Sequence, residues 1–280
     1  MAPIAHIDEW TDECATVVEV EQAFVELRLQ RGFEGTRNLR TSVLTHIAWV
    51  PQQWQEAATD TLAGLAERHP SRTLLLFPEP DVEDGLHARV LLECYEMPGG
   101  NRHLCNEVAE LRLRGIRSLA PASIVLPLLL PDLPVFLRWR GRPDFESPVF
   151  EQLVEVVDRL VLDTSEWPDA PAAYEGLVAL FDRVAVSDIA WRRTLPWRRA
   201  LGSAWPDLPR KLTGPPAESA LVAGWLRSRA GVEVGVERAD ELPVGSAGDS
   251  SDLLSDELDV FVRDPIYEEA VRAVTPVEPS

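Results

Sequence analysis

The stretch from residue 41 to residue 77 constrains the fold most, because it reads as strand, helix and strand in immediate succession. Residues 41–50 (TSVLTHIAWV) are rich in β-branched and aromatic side chains and stop at Pro51, as a buried strand does. Over residues 52–68, Trp54, Ala58, Leu62 and Leu65 return on one helical face until His69-Pro70 ends the run. Residues 73–77 (TLLLF) then supply a second short apolar strand. Two strands joined through a helix lie parallel, with a right-handed crossover. The fold class that follows is α/β, with a β-α-β core.

The flanking segments extend this core into a mixed sheet. A helix is predicted over residues 16–30, where Val17, Val20, Phe24 and Leu27 recur at three- and four-residue spacing. Residues 87–95 and 103–113 alternate apolar with polar side chains around Pro98-Gly99-Gly100-Asn101, which predicts a hairpin. A helix over 118–130, ended or kinked by Pro127, leads through Pro131-Asp132-Leu133-Pro134 into a strand over 135–139. A helix over 147–159 and a strand over 160–162 follow. Residues 163–173 (DTSEWPDAPAA) have the Pro, Asp and Ser content of a boundary, so the predicted domains are 1–165, α/β with the hairpin, and 166–280, smaller and α+β. In the second, helices are expected over 174–183, 189–204, 218–229 and 265–274, and strands over 232–238 and 258–262. A flexible stretch is expected over 245–255. Pro265 suits the first position of its helix.

Several chemistries are excluded by what stands at the places where they would sit. A nucleotide pyrophosphate needs glycines between the first strand and its helix, and this chain has Val50-Pro51-Gln52-Gln53 there, so no cofactor is expected. Gly202-Ser203 and Gly245-Ser246 lack the second glycine and preceding strand of a serine-hydrolase elbow. No two of His6, His46, His69, His87 and His103 stand at helical ligand spacing, and the cysteines Cys14, Cys94 and Cys105 are not paired as zinc ligands. No catalytic or metal residue is therefore assigned. The thiols are expected to be reduced; an in-register hairpin would nonetheless set Cys94 opposite Cys105, where a redox pair is the alternative. A net charge of −19 disfavours nucleic acid and anionic lipid as partners. The apolar run 124–137 is cut by Pro127, Pro131 and Pro134 and cannot span a bilayer, and the first residues show no secretory leader, so a cytoplasmic protein is expected.

The chemistry that remains is aromatic and cationic. Arg138-Trp139-Arg140 closes one predicted strand, and Trp191-Arg192-Arg193 and Trp197-Arg198-Arg199 share a predicted helix. Trp and Arg combine large buried area with directional donors and are enriched in binding hot spots, although helix tryptophans also serve plain packing. Trp139, Arg140, Trp191, Arg192 and Arg198 are the partner-contact candidates, with the 131–134 turn supporting the first two. The alternative is a sugar-phosphate-binding enzyme or metabolite sensor in which Arg138, Arg140 or Arg192 grips the phosphate.

Residues 122–135 (ASIVLPLLLPDLPV) resemble the central motif of the OpcA family. Three further segments agree in order: His69-Pro70-Ser71-Arg72; Leu160 to Ser165 (LVLDTS); and Asp188 to Arg192 (DIAWR) followed by Pro196-Trp197-Arg198. The similarity covers residues 41–204. Arg138 departs from the family pattern, which often has a second tryptophan beside Trp139. The resemblance implies a non-catalytic protein that promotes assembly or activation of glucose-6-phosphate dehydrogenase, the entry enzyme of the oxidative pentose phosphate pathway. It supplies the partner; composition and spacing do not.

Overall fold

The computed structural model describes residues 4–33, 37–39, 42–63, 65, 68–96, 102–245, 248 and 250–274. Its contacts divide the chain into two compact units, Met1–Arg140 with Glu146–Asp158, and Gly141–Phe145 with Arg159–Ser280. The fold is mixed α/β.

The first unit runs β1 (Ile4–Asp12), α1 (Val17–Phe33), β2 (Arg37–Leu39), β3 (Leu44–Trp49), α2 (Gln55–Ala63), β4 (Ser71–Glu79), β5 (Gly85–Glu96), β6 (Arg102–Arg114), α3 (Pro121–Val125), β7 (Val135–Trp139) and α4 (Pro148–Val154). Its strands lie side by side in the order β1-β5-β6-β4-β3-β7. β3 and β4 are parallel, with Leu44 opposite Ser71 and Trp49 opposite Leu76, and α2 is the crossover between them. All six residues of β3 are buried, which explains its near-continuous apolar sequence. Ala48, Val50, Leu75 and Phe77 form a core cluster with Ala58 of α2, and Trp54 packs against it. β2 lies parallel to the start of β6 and β4 to the rest of it.

α1 is held by a buried charge network. The Arg72 side chain is 1% exposed; its Nε donates to Glu107 Oε2 (2.6 Å), and its Nη1 donates to Glu21 Oε2 (2.7 Å) and Leu128 O (2.9 Å). Its guanidinium lies 4.2 Å from the Phe24 ring centroid, and Arg28 bonds the same Glu107. A buried arginine is tolerated because its Nε and Nη1 meet carboxylates and a carbonyl.

Three expectations for this unit change. β5 and β6 form the hairpin with Cys94 opposite Cys105, and the two are joined by a disulfide, so these thiols are not reduced; Cys14 is free and exposed. The physical reason is the register, which brings the two Cα atoms to 4.1 Å. The 98–101 turn lies outside the described residues. The helix expected over 118–130 is instead a 3₁₀ turn (Gly115–Leu119), the five-residue α3 and a second 3₁₀ turn (Leu126–Leu128), because Pro121 and Pro127 each remove a backbone donor. Finally, β1 and β2 add strands in stretches to which the sequence assigned no element. In the turn before β7, Asp132 sits at φ +64°, a left-handed conformation that Asp tolerates better than most side chains.

The second unit runs β8 (Arg159–Leu162), α5 (Tyr174–Leu180), β9 (Ala185–Asp188), α6 (Ile189–Arg193), α7 (Leu195–Ser203), β10 (Lys211–Gly214), α8 (Pro216–Ala230), β11 (Gly235–Arg238), α9 (Ser250–Leu258) and α10 (Pro265–Ala273). β8 pairs parallel with β9, and β10 with β11. Gly224 of α8 faces the Ala270 carbonyl of α10, and any Cβ there would overlap it. The helix expected over 189–204 is two helices that meet at Thr194, since Pro196 cannot donate back into the preceding turn. The strand expected over 258–262 does not form. Leu253, Leu254 and Leu258 are buried from α9, at helical spacing, while Phe261 and Val262 are exposed. α9 also takes up the second half of the stretch expected to be flexible.

Candidate functional site

Trp139 and Arg140 are packed inside the first unit. The Trp139 ring stacks on Trp49 with centroids 5.0 Å apart and takes an edge-on contact from Phe150. It is 6% exposed. Arg140 Nη2 donates to Ala57 O (3.0 Å) and Thr61 Oγ1 (2.8 Å), tying the end of β7 to α2. Arg138 is buried beside them and donates to Trp139 O. His46, at the centre of β3, is buried, and burial with the neighbouring arginine charges drops its pKa to about 3, so its imidazole is neutral.

Trp191, Arg192 and Arg198 are brought together in the second unit, and the arrangement is built outward from Asp188. This residue ends β9 and caps α6. Its Oδ1 accepts from Thr164 N (3.0 Å) and Ala190 N (2.9 Å), and its Oδ2 from Thr164 Oγ1 (2.8 Å) and Tyr267 Oη (3.3 Å). Burial, followed by the nearby Asp163, pushes its pKa up to about 7 against the pull of those donors. The phenol groups of Tyr267 and Tyr174 are held well above their ordinary value, chiefly by burial and then by Asp188.

One turn on from Asp188, the buried Trp191 donates its indole N–H to Asp264 Oδ2 (2.9 Å). The other oxygen of Asp264 caps α10 through Ile266 N and Tyr267 N. Because the chain bends at Thr194, Arg198 folds back with its Cζ 3.4 Å from the Trp191 ring centroid. Its Nε donates to Thr194 Oγ1 (3.0 Å) and its Nη2 to Trp191 O (3.3 Å). Burial lowers the Arg198 pKa to about 10, with Asp264 opposing and Arg192 and Arg199 adding to the fall. Arg192 pairs with Glu257, Nε to Oε1 at 2.7 Å, and donates to Asp256 O (3.1 Å).

These side chains line a cavity of about 280 Å³, closed on its apolar side by Val260, Val262, Pro265 and Ile266. Its wall carries cations, buried carboxylates and an aromatic floor, an arrangement that can recognise a charged group. No three His, Cys, Asp or Glu side chains among the described residues are placed to hold a metal ion. Sequence reasoning flagged Trp191, Arg192 and Arg198 but missed Asp188, Glu257, Asp264 and Tyr267. Two of these carried a signal, since Asp188 precedes a helix and Asp264-Pro265 is a helix-start pair.

Residues 63–179 match the family described as the glucose-6-phosphate dehydrogenase subunit N-terminal domain, whose model is that of OpcA assembly proteins. The chain is 25% identical to the OxPP cycle protein OpcA of Nostoc punctiforme over 180 residues, covering 59% of this chain and 39% of the relative. It is 26% identical to that of Synechococcus elongatus over 60% of this chain and 41% of the relative, and 23% identical to that of Synechocystis over 59% and 38%. It thus spans about two-fifths of the length of these curated relatives. Residues 63–179 are therefore similar to the OpcA family. Among the described residues no helix is long and apolar enough to cross a membrane.

Proposed function

We propose that this chain is a non-catalytic assembly or activation factor that binds glucose-6-phosphate dehydrogenase and favours its active oligomer. The observation that carries this reading is the match of residues 63–179 to the OpcA dehydrogenase-assembly domain. A factor acts in this way only if it binds one oligomeric form better than the others, since equal affinity for all forms shifts nothing.

The residue candidates narrow with burial. Trp139, Arg140 and Trp191 are each less than a tenth exposed, so they act as supports that fix the elements around them. Arg192 and Arg198 are the contacts we favour, with the exposed Val262 beside them on the same cavity wall. Mixing the purified dehydrogenase with this chain, while following turnover and mass by light scattering, tests the reading. A rise in mass accompanied by a rise in activity is the expected result. Activity unchanged by a saturating excess, with both masses remaining those of the separate proteins, refutes it.

A further inference from the structure

The cavity of the second unit has more donor capacity than its own carboxylates take up. Arg192 commits Nε and Nη2, and Arg198 commits Nε and Nη2, the latter pair to neutral oxygens. The Nη1 of each has no protein acceptor among the described residues, and Arg198 makes no ion pair there. The carboxylates on the same wall are already engaged: Asp264 by Trp191 and the start of α10, Asp188 by four donors, Glu257 by Arg192. Arg192 and Arg198 repel one another across this wall. An oxyanion placed between them relieves that repulsion and accepts from both forks, whereas a cation would have to displace a bond already made.

Size and shape narrow the class. A cavity of about 280 Å³ admits a small molecule, near the lower end of ordinary ligand sites. Of the rest of the lining, Val260 and Ile266 are apolar, and Arg263 is committed to Phe181 O and Glu268, so a second charged group finds no ready partner. We propose that this cavity binds a small molecule bearing one carboxylate or phosphate group, with Arg198 and Arg192 donating to the oxyanion and its apolar body lying against Val260 and Ile266. This goes beyond the partner reading: it involves no dehydrogenase, and its test uses this chain alone, so failure here leaves the assembly reading untouched.

Inorganic phosphate and benzoate, titrated calorimetrically against chloride at matched ionic strength, separate the two oxyanion types. Saturable binding of at least one of them, with slower amide exchange confined to residues 186–198 and 257–267, is the expected result. Arg198→Gln then weakens that binding by about tenfold or more, consistent with the loss of a charge-assisted pair, and Arg198→Lys by less. Where circular dichroism shows Arg198→Gln unfolded, Arg192→Gln takes its place. The proposal is overturned by heats no greater than those of chloride for both probes, by protection elsewhere in the chain, or by undiminished affinity in a folded variant.

Discussion

Replacing Asp188 with Asn tests the electrostatics at the root of the cavity. Asn keeps an oxygen for Thr164 N and Ala190 N, and its amide faces Thr164 Oγ1 and Tyr267 Oη, both of which can accept as well as donate. The substitution therefore removes a titrating charge at little cost in hydrogen bonds. In the native protein the Asp188 pKa is raised from 3.8 to about 7. A raised folded-state pKa means the folded protein binds the proton more tightly than the unfolded chain. The stability it confers is complete below the unfolded value and is lost as pH climbs through the folded one. At about 1.4 kcal/mol per pH unit, this loss between pH 5 and pH 8 is about 3 kcal/mol. The Asn variant has no such loss. Urea unfolding of both proteins at pH 5 and pH 8, with a slope of about 2 kcal/mol/M, shows the Asn midpoint gaining on the wild type by about 1.5 M at the higher pH. An Asn midpoint that gains nothing on the wild type between pH 5 and pH 8 refutes the reasoning, because it means that the four donors outweigh burial and hold the carboxylate charged in the folded state across this range.

Other perturbations probe the supporting structure. Arg72→Ala leaves Glu107 buried with Arg28 as its remaining partner and lowers unfolding stability by about 3 kcal/mol, read from the urea midpoint of the first unit; a loss below about 1 kcal/mol contradicts the network. Gly224→Ala forces α8 away from the Ala270 carbonyl and costs about 2–3 kcal/mol, visible as a lowered melting temperature. Peptide mapping without reduction recovers residues 94 and 105 on one cross-linked species, while Cys14 is alkylated in the folded protein; alkylation of Cys94 under the same conditions contradicts the pairing. Asp264→Ala removes the cap of α10 and the acceptor of the Trp191 indole together, and lowers stability by about 2 kcal/mol.

The parts of the fold legible in the sequence are those whose burial is periodic. β3, α2 and β4 announce themselves because both strand faces and one helix face are apolar, and the β5–β6 hairpin because alternation survives on both sides of the turn. β9 and β10 are four residues each, too short for any period to emerge, and β1 is too polar. Two helices around Thr194 read as one, since the residues on either side are good helix formers and only Pro196 marks the bend. For the cavity, the cationic half was visible in Trp191, Arg192 and Arg198. The acidic and phenolic half was not, because Tyr267 meets Asp188 across 79 residues, a separation no local pattern encodes. Trp139 illustrates the remaining ambiguity. A tryptophan beside arginines serves an interface or a core equally well, and only its stacking on Trp49 decides for the core.

The second unit draws its closing pieces from far apart along the polypeptide. Phe145 arrives before most of the unit and packs on Trp167, whereas Tyr267 and Ala270 arrive after almost everything they touch. During translation, then, Asp188 and α8 wait for a helix that is made well after them. Until it docks, an acid and a groove cut for a close helix crossing stand open to water, and chaperones or proteases have their best opportunity to act on the nascent chain.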